Sequence, residues 1–464
     1  MAGIGFRLNK YFSKDQFFNH LKGIIYSIFI SSGPWLTTVI TIAIISHFAK
    51  KNLNTNELNI FRSIICYTYA TTLILFGMVE MPLTRYFADK IFINDYTNFK
   101  SVFFVIVAFF AITGACLGSL FLHFSPFSLL LKISTLSLFI FIFIIWISMI
   151  FLSATKHYTE IVFSFIAGGL CAVIAGPYLG EKMGLVGHLL GLTIGQGFTA
   201  AFLTALVLFE YDGPDYFSLD FLTYFKRYYI LIFVGLFYYL GIWIDKIIFW
   251  FSPFGVHVIG PYYTSPYYDT AFFLAYLTIV PAMAVFIVSV ETQFYKNYLH
   301  YFSNIEKGSS LNLIENQIYE LADSLRSTFS NLFKFQLFFT VAPWYFALEI
   351  LNFLHLPLIH LTLFRYGVIA AFFQVNFLVI NILLLYFKAY IQVLFNYSLF
   401  FISNAVLTYI TTQMDFRFHG LGIVISSIMT FLSSALIINY RIKKTTYYTF
   451  MSQPMSQNNY QETN

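Results

Sequence analysis

Apolar runs of about 20 residues recur along this chain from one end to the other, and a helix of that length crosses a hydrocarbon core about 30 Å thick. In lipid every backbone N–H and C=O must be satisfied inside the segment, so such runs fold as helices. The runs lie near 23–48, 62–82, 101–123, 135–154, 159–179 and 185–209, then 228–250, 269–292, 329–352, 365–387, 389–412 and 418–440. That makes twelve spans, and the fold class is an all-α polytopic membrane protein. Composition agrees: 59% of the 464 residues are hydrophobic and 10% are charged, against about 25% charged in a soluble domain. Most catalytic classes that work in water are thereby excluded. A net charge of +5 spread over so many spans gives no support to nucleic-acid binding.

Sorting the charges by loop yields an orientation. With the N-terminus inside, the cytoplasmic segments collect 18 of the 26 Lys and Arg residues. The other eight are Lys50, Lys51, Arg62, Lys132, Lys182, Lys246, Arg365 and Arg417. The positive-inside bias therefore puts both termini in the cytoplasm. Segment 1–22 mixes Arg7, Lys10, Lys14 and Lys22 with Phe6, Tyr11, Phe12, Phe17, Phe18 and Leu21, as expected of an amphipathic helix in the headgroup region. The run that follows is too long for a signal-peptide core and lacks a cleavage site, so the first span is expected to stay in the mature protein. Cys66, Cys116 and Cys171 are scattered through apolar runs without paired spacing, which fits buried small hydrophobes better than a disulfide or zinc site.

The most polar stretch between spans, Glu210-Tyr-Asp-Gly-Pro-Asp215, divides the runs six and six. The expected domains are six-helix bundles over 23–209 and 228–440, joined by a cytoplasmic linker at 210–227 and followed by a tail at 441–464. Transporters built from two repeats place the substrate path between them. In the cytoplasmic loop 293–327, Leu311, Ile314, Ile318, Leu321 and Leu325 recur at helical steps with Glu315, Glu320, Asp323 and Arg326 on the other faces. That helix either lies on the membrane or the protein's own underside, or docks a cytoplasmic partner. The outer loop 251–268, rich in Pro, Gly and Tyr, suits a structured cap or gate.

Polar groups inside spans are costly and so are functional candidates. Glu80, Asp245, Lys246, Glu291, Glu349 and Arg365 lie within or at the ends of spans. Asp245, Lys246, Glu349 and Arg365 would form an outer gate, with Glu349 and Arg365 either paired or apart. Glu80 and Glu291 would sit at the inner mouths of the two halves. Deeper amides, Gln374, Asn376 and Asn381 in span ten and Gln392, Asn396 and Asn404 in span eleven, must face protein or water. The three in span eleven fall within about 120° of arc, so they either line a cavity or bond helix to helix. Aromatic residues make up 21% of the chain, a load that suits sugar stacking in part and lipid contact in larger part.

No phosphate-binding loop, HExxH, CxxC or GxSxG motif is present. His188 and His360 stand in spans without a motif around them. No cofactor or metal is called for, and the reading is a transporter rather than an enzyme. Rival readings are a proton- or cation-coupled exporter of small molecules, an intramembrane polymerase or acyltransferase, and a scaffold that holds a cytoplasmic partner at the membrane through the 311–325 helix.

Several strings carry a resemblance: MAGIGF (Met1–Phe6), ISSGPW (Ile30–Trp35), DKIIFWFSP (Asp245–Pro253), TSPYYDTAFFLAYL (Thr264–Leu277) and PAMAVFIVSVET (Pro281–Thr292). They resemble the PelG family, the polytopic inner-membrane component of Pel exopolysaccharide export. The resemblance implies a flippase-superfamily fold, shared with MATE exporters, of two six-helix bundles around a central cavity. It implies a location in the bacterial inner membrane and a polysaccharide substrate rich in N-acetylgalactosamine. The partners it implies are a cytosolic glycosyltransferase and other inner-membrane Pel subunits.

Overall fold

The computed structural model describes residues 17–155, 157–211, 218–290 and 294–451. The first half comprises α1 (Phe17–Asn52), α2 (Thr55–Phe92), α3 (Phe99–His123), α4 (Leu129–Ala154), α5 (Tyr158–Glu210) and the short α6 (Phe221–Arg227). After α7 (Tyr229–Trp250) come a two-stranded antiparallel hairpin, β1 (Val256–Ile259) and β2 (Tyr262–Thr264), then α8 (Pro266–Tyr276) and α9 (Val280–Ser289). The rest is α10 (Tyr295–Glu306), α11 (Leu311–Tyr345), α12 (Ala347–Phe353), α13 (His360–Tyr386), α14 (Tyr390–Thr412), α15 (Leu421–Lys443) and α16 (Thr445–Met451). Among the described residues, ten helices are long and apolar enough to cross a membrane.

Two features bring ten to the expected twelve. Helix α5 has 53 residues, which would extend about 80 Å if straight, but it turns at Gly184, whose φ of 59° only glycine adopts readily. Its two arms then run back to back. A Cβ on Gly191 would lie 2.3 Å from the Cα of Gly176, and one on Gly195 would lie 2.4 Å from the Ala172 Cβ. Lipid provides no hydrophobic drive between helices, so close approach of small residues holds the arms together. Helix α11 supplies the other pass: its first half is amphipathic, and its second half, from Phe329, is the apolar run.

Elsewhere the structure revises the expected boundaries. In the segment 293–327 the amphipathic helix expected from Leu311 is present, preceded by α10 and a break at Gly308 (φ 64°), and α11 continues past it into the span. Ile314, Leu321 and Leu325 are buried in the protein's own underside while Leu311 is exposed. The span expected at 269–292 begins at Pro266 and is broken by a 3-10 turn at Leu277–Ile279. Pro281 has no N–H to offer the Leu277 carbonyl, which accounts for the break. Of the amphipathic segment 1–22, residues 1–16 lie outside the described residues, and α1 runs unbroken from Phe17 into the first span. Cys116 is exposed on its helix and Cys66 and Cys171 are half-buried, so the three thiols are less enclosed than expected. The tight turn expected at Phe387–Ala389 is present, with Lys388 at φ 53°.

Loops alternate between two ends of the molecule. At one end the side chains of Asn98 and Asp220 bond, His157 Nε2 meets Glu210 at 2.8 Å, and Arg441 Nη2 donates to the Phe387 carbonyl at 3.2 Å. This end carries Arg85, Lys90, Lys226, Arg227, Lys388 and Lys444, and it is called the basic end below. At the opposite end the hairpin turn packs on residues 124–126 and Phe254 meets the His419 ring at 4.4 Å.

Close packing in the α5 hairpin gives a direct test. Gly191→Ala forces the Gly176 backbone away and should cost about 1–3 kcal/mol. Gly118→Ala meets only the flexible Leu136 Cδ1 and should cost less. Thermal unfolding in detergent should rank Gly191→Ala well below Gly118→Ala.

Candidate functional site

Helix α7 packs on α2 of the first half and on α14 of the second, and α9 makes a further contact with the first half, on α1. The contact of α7 with α2 is backbone to backbone: a Cβ on Gly235 would fall 1.8 Å from the Gly77 carbonyl oxygen. One turn along each helix, that approach brings the Tyr239 hydroxyl to Glu80, to which it donates at 2.9 Å. Tyr238 lies beside Tyr239 and stands 5.0 Å from the Tyr397 ring, while Phe76 lies between Tyr239 and Trp146. The Trp146 indole nitrogen is buried with no hydrogen-bond partner.

Seven residues beyond Tyr239, and so on the same face of α7, stands Lys246. Its ammonium donates to the Ile242 carbonyl at 3.1 Å and reaches Asp245 Oδ2 at 3.3 Å. It also lies over two rings, 5.2 Å from the centre of Tyr276 and 5.7 Å from that of Trp243. Neighbouring residues on a helix point about 100° apart, so the pair forms only because the lysine stem bends back. Asp245 is 0% exposed and takes a second bond, from the Tyr268 hydroxyl at 2.7 Å. An unpartnered charge in such surroundings costs several kcal/mol, and these contacts offset it.

Tyr268 and Tyr276 both lie on α8, the half-helix before the break. The Tyr276 hydroxyl donates to Gln374 Oε1 at 2.8 Å, and Gln374 Nε2 donates to Ser427 at 3.2 Å. Tyr239 and Lys246, two turns apart on one face of α7, place the two clusters along the same helix face. Broken helices lining a polar site recur in transporters, because the freed backbone and the side chains beside it share one cavity.

The other expected site residues distribute differently. Arg365 lies over the Trp344 ring at 4.9 Å, and Glu349 is exposed in the first turn of α12. Among the described residues no ion pair joins them, and no hydrogen bond links either to Asp245 or Lys246, so the four gate residues are not brought together. Trp344 takes the guanidinium by cation–π contact, and the helix N-terminus favours Glu349 where it is. Glu291 lies outside the described residues.

The amides of Asn381, Asn396 and Asn404 bond helix to helix. Asn396 donates to Asn381 Oδ1 at 2.9 Å and accepts from Ser433, and Asn381 also reaches Ser434, which joins α13, α14 and α15. Asn404 donates to the Gly241 carbonyl at 2.9 Å and accepts from Thr408, tying α14 to α7. Asn376 donates within its own helix, to the Phe372 carbonyl, and Gln392 is half-buried. Of the two histidines, His360 caps the Pro357 carbonyl at 3.0 Å, and His188 is buried against Gly180 and Phe61.

Two residues absent from the sequence reading matter here. Asp269 accepts from Trp250 Nε1 at 2.9 Å, from the Ser265 N–H at 3.1 Å and from Thr264 Oγ1 at 3.2 Å. An acid in the first turn after Pro266 was the available signal. Gln336 in α11 is 0% exposed with both amide atoms unpartnered, and nothing in an apolar run distinguishes it beforehand. Among the described residues no group of three His, Cys, Asp or Glu side chains could hold a metal ion.

Known folds resemble this one along nearly its whole length. A MOP superfamily transporter from Pyrococcus furiosus superposes with a TM-score of 0.66 at 12% identity, covering 91% of this chain and 96% of that one. A MATE protein in a straight conformation gives 0.67 at 11% identity over the same shares. Outward- and inward-facing structures of a multidrug resistance MATE transporter each give 0.64 at 12% identity, covering 92% and 91% of this chain and 97% and 99% of theirs. At such identities the likeness concerns the fold, and it does not distinguish the two conformations. No curated protein sequence matches the chain. The family model described as "PelG: Putative exopolysaccharide Exporter (EPS-E)" matches residues 1–450, and the chain belongs to that family.

Proposed function

We propose that the protein carries a hydrophilic, Pel-like polysaccharide rich in N-acetylgalactosamine across the bacterial cytoplasmic membrane, between halves spanning 23–209 and 228–440, and does no covalent chemistry on it. One observation carries this reading: the strip from Glu80 through Tyr239 and Tyr238 to Lys246, Tyr276 and Gln374 runs along a helix where the halves meet. Ionisable groups inside a membrane are expensive to keep and mark a path. Tyrosine faces suit sugar rings, and the amide and ammonium suit their hydroxyls. The amides Asn381, Asn396 and Asn404 support the wall of that path from behind. Nascent polymer comes from a cytosolic glycosyltransferase, with other inner-membrane Pel subunits alongside, and the exposed acidic face of α11 is the surface offered to such a partner.

A specific observation favours a second reading. Glu80 is a membrane-embedded carboxylate at the contact of the halves, bonded to a tyrosine hydroxyl, which is a suitable group for proton- or cation-coupled export of small molecules. In vesicles, dye efflux driven by a pH gradient and abolished by Glu80→Gln would establish that reading over the first.

The Lys and Arg content of the basic end supports a cytoplasmic location for it. Reporter fusions are expected to give cytoplasmic activity after Lys444 and periplasmic activity after Gly184; a periplasmic signal after Lys444 would reverse the assignment.

Lys246→Met keeps the stem volume of the side chain and removes the ammonium. Secreted polysaccharide should fall by about tenfold or more, equivalent to about 1.4 kcal/mol, with unchanged membrane level and synthase activity. Normal secretion from that variant would remove Lys246 from the path.

A further inference from the structure

The hairpin β1–β2 belongs by sequence to the second half, between α7 and α8, yet its buried side chains belong to the core of the first. Tyr262 is 2% exposed, packed against Phe121 at 5.3 Å, Phe127 at 5.5 Å and Tyr67 at 5.0 Å. Val258 and Ile259 join the same apolar cluster, which holds Ile64, Leu131 and Leu189 of α2, α4 and α5. At the tip, Gly260 has φ 51° and sits so close to residues 124–126 that a Cβ there would lie 3.0 Å from the Phe124 carbonyl and 3.2 Å from Pro126. Behind the tip the Tyr263 N–H donates to the Tyr67 hydroxyl at 3.1 Å, and Tyr67 stacks on Trp250 at 4.6 Å.

The hairpin therefore crosses the seam at the end opposite the basic end and ties α2, α3 and α4 to α7 and α8. Its root is fixed separately, by Asp269 accepting from Trp250, Thr264 and Ser265. A two-stranded ribbon is marginally stable by itself, so its order here comes from the surface it grips. That surface is a seat of aromatic rings with one backbone hydrogen bond, which a single rigid movement of the hairpin vacates at once.

We propose that this hairpin is a latch: seated on Tyr67, Phe121 and Phe127 it seals one end of the interface between the halves, and it must leave that seat for polymer to emerge. The inference rests on the path reading above. A chain of sugars moving between the halves meets the hairpin at the end of α7, where Tyr262, Val258 and Ile259 sit in the apolar cluster of the first half.

The test links the latch to its seat after the protein has folded. Cys66, Cys116 and Cys171 are replaced by Ala, and Pro126→Cys and Pro261→Cys are added, positions that flank the contact of Gly260 with residues 124–126. Cells secreting polysaccharide are treated with a short membrane-permeant bismaleimide, and linkage is read by mass spectrometry of a peptide pair. Linked protein should lose secretion by about tenfold or more, while the untreated double variant and each treated single variant secrete normally. Complete linkage with normal secretion overturns the latch. If Lys246→Met still abolishes secretion in that case, the path stands without its latch; if that variant also secretes normally, the path reading falls as well.

Discussion

The approach of Gly77 to Gly235 is the contact on which the site depends. Two helix backbones meet there with no side chain between them, so the groups one turn away on each helix are brought within bonding distance. Glu80 and Tyr239 are those groups. A larger residue at either position would push the helices apart by more than the reach of that hydrogen bond, and the first half would lose its polar connection to α7. In lipid this geometry has a thermodynamic reason as well, because small-residue seams gain dispersion contacts that bulky side chains would prevent. The same device closes the two arms of α5, where Gly176 and Gly191 meet.

Once α7 is held against α2, its remaining polar residues must be satisfied from the second half. Asp245 finds Tyr268, and Lys246 finds the Tyr276 ring together with Asp245. Both tyrosines lie on α8, whose break at Leu277–Ile279 ends the half-helix just after Tyr276. The Gln374 amide bonds that tyrosine and passes the connection to Ser427 on α15. In a low-dielectric interior such bonds are strong and an unmet group is costly, so the strip holds together or fails as a unit.

Much of the fold was legible because apolar length is a direct consequence of bilayer thickness. The turn at Gly184 was legible too, since Glu181 and Lys182 interrupt the run there. What escaped was whatever depends on contacts between distant segments. Asp245 and Lys246 could be picked out as charges in a span, but the tyrosines they meet, Tyr268 and Tyr276, lie on another helix. The stripe Gln392, Asn396, Asn404 was visible at helical spacing, yet its residues split between α13 and α15 on one side and α7 on the other, which no periodicity encodes. Continuity of α11 across the membrane surface was hidden because composition changes sharply at Phe329.

Helix α8 joins the site to the opposite end. Asp269 in its first turn fixes the root of the hairpin, Tyr268 beside it holds Asp245, and Tyr276 two turns on lies under Lys246. At about 1.5 Å of rise per residue the half-helix is about 16 Å long, short enough to move as a rigid body. The 3-10 turn that follows lacks the Pro281 N–H and is the natural place for that movement to be absorbed. Displacing the hairpin would therefore pull on Asp269, and with it on the two tyrosines that position Asp245 and Lys246. Under the proposed latch, release of the hairpin at one end and rearrangement of the charged pair would be coupled through this one half-helix.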